Sequence, residues 1–119
     1  MIETYKQLQV WQKSIALAKQ LYLLCEQLPD EERFGLHSQM TRAAVSVSSN
    51  IAEGWARNPT KDFINFLYIA RGSLAELDSQ LFLAKELNLI QDDLELQETM
   101  VEVSKMLNSM ITSLKIKVA

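Results

Sequence analysis

The sequence predicts an all-α protein, an up-down-up-down left-handed four-helix bundle spanning residues 1–119 as one domain. Three observations lead there. Apolar residues recur at alternating steps of three and four along four successive stretches, which is the repeat of one helix face. The chain has only three Gly and two Pro, far too few for a turn-rich β architecture. Its breaks, at Pro29, at Asn58-Pro59-Thr60 and at Asn88 to Gln91, are short, so consecutive helices run antiparallel.

The first helix places Leu8, Trp11, Ile15, Ala18, Tyr22 and Cys25 on one face, with Leu17, Leu21, Leu24 and Leu28 as an adjoining stripe. Pro29 ends it by pushing the preceding residue out of the helical region. The charged connection Asp30 to Gly35 has one large apolar residue, Phe34, which is expected to plug the end of the core. The second helix starts near Leu36 and buries Leu36, Met40, Ala43 or Ala44, Val47, Ile51 and Trp55. Asn58 or Thr60 is the expected N-cap of the third helix, with Asp62 well placed in its first turn. Phe63, Leu67, Ala70, Leu74, Leu77, Leu81 and Ala84 then form the most regular heptad of the chain. Ile64, Phe66, Tyr68, Ile69, Phe82, Leu83 and Leu87 add more apolar surface than one neighbour needs, so this helix is central in its bundle or shared with another subunit. Asp92 and Glu95 have capping-box spacing, and Leu96, Met100, Val103, Leu107, Met110 and Leu114 line the fourth helix. Its acidic start and basic end suit the helix dipole.

Twelve Lys and Arg against fifteen Asp and Glu give a formal charge of −3, a poor overall footprint for binding phosphate backbone. A local basic patch built from Lys13, Lys19, Arg57, Lys61, Lys115 and Lys117 remains an open alternative, because assembly can gather weak charges into a positive ring. The single Cys25 excludes an internal disulfide. Charged Glu3 and Lys6 replace a signal peptide's apolar core, and no apolar run is long enough to span a membrane, so a cytoplasmic protein without membrane association is expected.

No catalytic constellation emerges. Helical bundles hold paired metal ions with Glu and Glu-x-x-His ligands, but the only histidine, His37, follows Phe34 by three. Gly35, Gly54 and Gly72 form neither a dinucleotide fingerprint nor a phosphate-binding loop. Cys25 reads as a buried hydrophobe, and Ser46 to Ser49 have no nucleophile-elbow pattern. The expectation is a non-enzymatic protein with no metal and no cofactor.

The unusual stretch is Arg42 to Gly54, R-A-A-V-S-V-S-S-N-I-A-E-G, rich in small and hydroxyl residues. Arg42, Ser46, Asn50 and Glu53 share a sector about 80° wide beside the apolar stripe. On the third helix Ser73, Glu76 and Gln80 are also aligned, next to Arg71 and to Gly72, whose cost inside a helix suggests close backbone approach. The two polar stripes are expected to meet, with Arg42 or Arg71 pairing Glu53 or Glu76. Such a seam is a hydrogen-bonded network within or between subunits, fixing register and partner choice, or else a polar pocket for a nucleotide or peptide.

Four runs carry a family resemblance: Tyr5-x-x-Leu8-x-Val10-Trp11, Glu32-x-Phe34-Gly35-Leu36, Arg42-Ala43-Ala44-Val45-Ser46 with Ser49-Asn50-Ile51-Ala52-Glu53-Gly54, and Gly72-Ser73-Leu74-x-Glu76-Leu77. Over essentially its whole length the chain resembles the four-helix bundle proteins of the 23S ribosomal RNA intervening-sequence type. The resemblance implies a cytoplasmic, ribosome-associated bacterial protein whose relatives are often encoded inside sequences interrupting the large ribosomal RNA gene. It also implies a homopentameric ring, and a scaffold or interaction role. A related branch serves diversity-generating retroelements and looks adapted to bind reverse transcriptase and nucleic acid, which makes RNA or a reverse transcriptase the alternative partner.

Overall fold

Four helices carry the chain: α1 (Gln9–Leu24), α2 (Leu36–Ala56), α3 (Thr60–Glu86) and α4 (Leu94–Val118). The computed structural model describes residues 1–57 and 59–118, and no strand occurs among them. Each helix packs on the next and α4 closes back onto α1, with α2 and α3 making the most extensive contact. Lys13 meets Glu102 and Gln20 meets Glu95, so numbers climb in α1 as they fall in α4, and the bundle is up-down-up-down. Its long axis measures 46 Å.

The core follows from the apolar spacing. Leu17, Leu21, Met40, Val47, Ile51, Leu67, Leu77 and Leu107 are completely buried. Each such side chain contributes about 1.5–3 kcal/mol relative to exposure. Both Ala43 and Ala44 are buried, and the α3 heptad faces inward from Phe63 to Ala84. On α1 the leading stripe is Val10, Ser14, Leu17, Leu21 and Leu24, whereas Tyr22, expected on the main face, is half exposed. Neighbours on two sides widen the buried sector of α1, and its centre falls on the leucines.

Several helix ends depart from expectation. The α1 helix gives way to a 3-10 turn, Cys25–Gln27, and Leu28 is extended before Pro29, as the proline ring requires. Phe34 does not plug the core: it is 89% exposed, with the Arg33 guanidinium over its ring. Glu32 explains this reversal, since its carboxylate accepts from the Leu36 N–H at 3.1 Å and ties the turn down without help from the aromatic ring. Pro59 occupies the N-cap position of α3 and Thr60 is the first helical residue; the alternative cap, Asn58, lies outside the described residues. Asp93, not Asp92, caps α4 by accepting from the Leu96 N–H at 3.0 Å, while Asp92 pairs with Lys85. Asn88 takes the left-handed conformation at φ 59° as α3 ends, and the Leu89 N–H returns to the Ala84 carbonyl.

The glycines also differ from expectation. Gly72 has open space where a Cβ would be, so it serves no close approach within the subunit. Gly54 does: a Cβ there would meet the Phe66 Cβ at 2.6 Å, where the end of α2 crosses the start of α3.

Candidate functional site

Between α2 and α3 runs a shallow groove of about 280 Å³, lined by Gln39, Arg42, Ala43, Ser46, Ser73, Glu76 and Gln80. Small residues at Ala43, Ser46, Ala70 and Ser73 let the two helices approach closely. The Ser46 and Ser73 hydroxyls share a 2.8 Å hydrogen bond across the helices. Asn50 Nδ2 donates to the Ser46 carbonyl at 2.8 Å and to Ser46 Oγ at 2.9 Å, which leaves Ser46 Oγ free to donate its own proton to Ser73.

The structure thus brings together Ser46, Asn50 and Ser73 as a hydroxyl and amide chain, but among the described residues none of the expected Arg–Glu pairs forms within the subunit. Glu53 sits on the exposed side and accepts from Arg57 one turn on at 3.3 Å. Arg71 lies on the opposite edge of α3, where it donates to Asn108 Oδ1 at 3.1 Å and stacks on Tyr68 at 4.7 Å. Arg42 and Glu76 both line the groove, and neither is in an ion pair among the described residues. Gln80 Oε1 is buried with no hydrogen-bond partner among them. Sequence spacing aligns Gln80 with this face, and Gln39 follows from its position three before Arg42; Asn108 had no signal pointing to Arg71.

Gln20 Oε1 on α1 is likewise buried without a partner among the described residues, whereas four buried hydroxyls close locally. The Ser14, Thr41, Ser48 and Thr99 hydroxyls donate to carbonyls three or four residues earlier in their own helices, so they create no unmet demand in the core. Burial pushes the Cys25 thiol up from 9.0 to about 11, which keeps it a protonated, unreactive core residue at neutral pH. Among the described residues no three His, Cys, Asp or Glu side chains converge as a metal site.

The basic candidates fall into two groups. Lys13, Arg57, Lys61, Lys115 and Lys117 occupy the start of α1, the end of α2, the start of α3 and the end of α4, which the antiparallel order puts at one end of the bundle. Lys19 lies beyond them towards the other end. Several of the five are already engaged: Lys13 with Glu102 at 2.9 Å, Arg57 with Glu53 and the Phe66 ring, and Lys115 over Tyr68 at 5.2 Å. The opposite end is acidic, with Asp30, Glu31 and Glu32 on one connection, Asp92 and Asp93 on the other, and Glu95 in the first turn of α4.

Two more grooves flank the bundle. One of about 320 Å³ follows α3 and α4 past Arg71, Ala75, Asp78 and Val101. A larger one, about 800 Å³, opens at the basic end between α4 and the N-terminal residues.

Helix order, core stripes and a hydroxyl-lined helix seam define an antiparallel four-helix bundle. The family model of the 23S rRNA-intervening sequence protein matches residues 6–109, and the chain belongs to that family. It is similar to a crystal structure of a protein of unknown function from the S23 ribosomal protein family of Bacteroides thetaiotaomicron. That likeness has 28% identity and a TM-score of 0.78, and covers 87% of this chain and 95% of the other. Among curated proteins no sequence matches the chain. No helix among the described residues is long and apolar enough to cross a membrane.

Proposed function

We propose that the protein is a non-enzymatic, homo-oligomeric interaction module of the cytoplasm, assembling through the α2–α3 face into a ring, with five copies as the family resemblance suggests. The observation that carries this reading is the groove in which Arg42 and Glu76 have no ion-pair partner, and the buried Gln80 Oε1 no hydrogen-bond partner, among the described residues. Apolar residues flank it. Ile69, Glu76 and Leu83 are seven apart and so share one face of α3, and Ile69 and Leu83 are about half exposed. On α2, Ser38, Arg42, Val45, Ser49, Ala52 and Ala56 repeat four, three, four, three, four on the outward side, a seam of mostly small residues that admits another helix closely. A cyclic ring needs two different patches on each subunit, whereas a two-fold dimer needs one. Exposed Phe82, Leu94 and Val101, on the α3–α4 side, supply the second.

Light scattering on the full chain tests the reading. The expected result is a single assembly of several copies at micromolar concentration, reduced to monomers by Val45→Glu or Glu76→Lys with helicity unchanged. A monomeric wild type at that concentration would sink it.

A second reading, RNA binding alone or beside a reverse transcriptase, is favoured by the clustering of Arg57, Lys61, Lys115 and Lys117 at one end. Its signature is RNA affinity that falls steeply with added salt and drops on Lys61→Glu with Lys117→Glu. Absence of binding at low salt would remove it.

A further inference from the structure

The two ends of the bundle differ in shape as well as charge. At the acidic end Phe34 projects with 89% of its surface exposed, on the connection that also bears Asp30 and Glu31. A large ring held in water on an ordered turn costs free energy and gains nothing inside this subunit, since Glu32 secures the turn. At the basic end the groove of about 800 Å³ has an apolar floor from Leu8, Val10, Met106, Met110 and Leu114, with Lys105 and Lys117 among its lining residues. It exists because α1 has 16 residues against 25 in α4. The last turns of α4 therefore run past the start of α1, and on this side they border an open groove whose other wall is Ile2 and the stretch from Gln7 to Val10. Methionine floors adapt to aromatic guests, and neither lysine is in an ion pair among the described residues.

We infer that this groove is the seat for the α1–α2 turn of a second copy, with Phe34 on the methionine floor and Asp30 and Glu31 against Lys105 and Lys117. Knob and groove lie at opposite ends of a 46 Å axis, so the contact is head-to-tail and can repeat along that axis. Arg33 folds back over its own Phe34 ring and leaves the acidic pair as the leading charge. The contact goes beyond the lateral α2–α3 seam and uses none of its residues, although both readings hold that the chain associates with itself.

Sedimentation velocity of the full-length protein over a concentration series, at about 50 and about 500 mM salt, tests the proposal. The wild type is expected to grow with concentration at low salt and much less at high salt. Phe34→Ala should weaken that growth by about tenfold or more. The charge reversals Asp30→Lys with Glu31→Lys, and Lys105→Glu with Lys117→Glu, should each abolish it, and mixing the two reversed proteins should restore it. All five side chains are exposed, so circular dichroism should report unchanged folding. Growth that ignores all three variants overturns the axial contact and leaves the lateral ring standing. So does a wild type of fixed mass at every concentration, or a mixture that fails to reassociate. Loss of the lateral assembly in Val45→Glu with axial growth retained would separate the two the other way.

Discussion

A Cβ at Gly54 has nowhere to go between Phe66 and Phe63, whereas one at Gly72 meets nothing within 4 Å. The two helix-interior glycines should therefore respond to alanine with opposite signs. Gly54→Ala is expected to destabilise by about 1–3 kcal/mol through overpacking. Gly72→Ala should stabilise an isolated subunit by about 1 kcal/mol through helix propensity alone. Urea unfolding of both variants in a monomeric Val45→Glu background checks the pair. Sequence spacing singles out Gly72 but cannot tell a glycine facing a helix from one facing water, because both sit in equally good helical patterns. Phe34 was illegible for a related reason: one apolar residue on a charged turn has no period to orient it.

The Cys25 thiol carries a second expectation at the same scale. Its folded value is raised to about 11 from 9.0, so between those limits the native state keeps a proton that the unfolded chain releases. Stability from this group is whole well below pH 9 and declines as the pH rises towards 11, by up to about 3 kcal/mol in total. Cys25→Ala should flatten that part of the alkaline decline relative to the wild type, read from unfolding midpoints at pH 8 to 11.

Among the elements, the start of α4 shows how spacing alone misplaces a cap by one residue. Asp92-x-x-Glu95 has the capping pattern, but the turn closed by Asn88 and Leu89 delivers the chain so that Asp93 reaches the Leu96 N–H and Asp92 reaches Lys85. Asp93→Ala should cost about 1 kcal/mol. Asp92→Ala removes only an exposed ion pair and should stay within about 0.5 kcal/mol. Thermal melts of the two variants separate these outcomes. The α3 heptad is legible because seven positions repeat one register; a cap rests on one side chain and the preceding turn. The polar seam falls between these cases. Its helical faces follow from spacing, so Ser46 and Ser73 were placed on facing stripes. Which long side chain crosses the gap depends on helix rotation, and the actual rotation sends Arg71 to Asn108.

At the scale of the whole molecule, four antiparallel helices follow from the spacing and breaks, while the grooves depend on how far each helix extends. The charge segregation is invisible in a net charge of −3, because opposite excesses at the two ends nearly cancel. If subunits assemble laterally in parallel, one rim of the ring collects the acidic turns and the other the basic termini. The proposed assembly would also link folding to mass action, so the melting temperature of the wild type should rise with protein concentration, and that of Val45→Glu should not.

Both tryptophans belong to the basic end. Trp11 stands edge-on to Tyr5 with ring centroids 5.2 Å apart, and Trp55 sits beside Gly54 near the end of α2. Intrinsic fluorescence is consequently a one-ended reporter: it registers loosening around the N-terminal turn and is nearly blind to the acidic end. Backbone circular dichroism weighs both ends alike. A gap between fluorescence and circular dichroism melts would identify which end opens first, without any label.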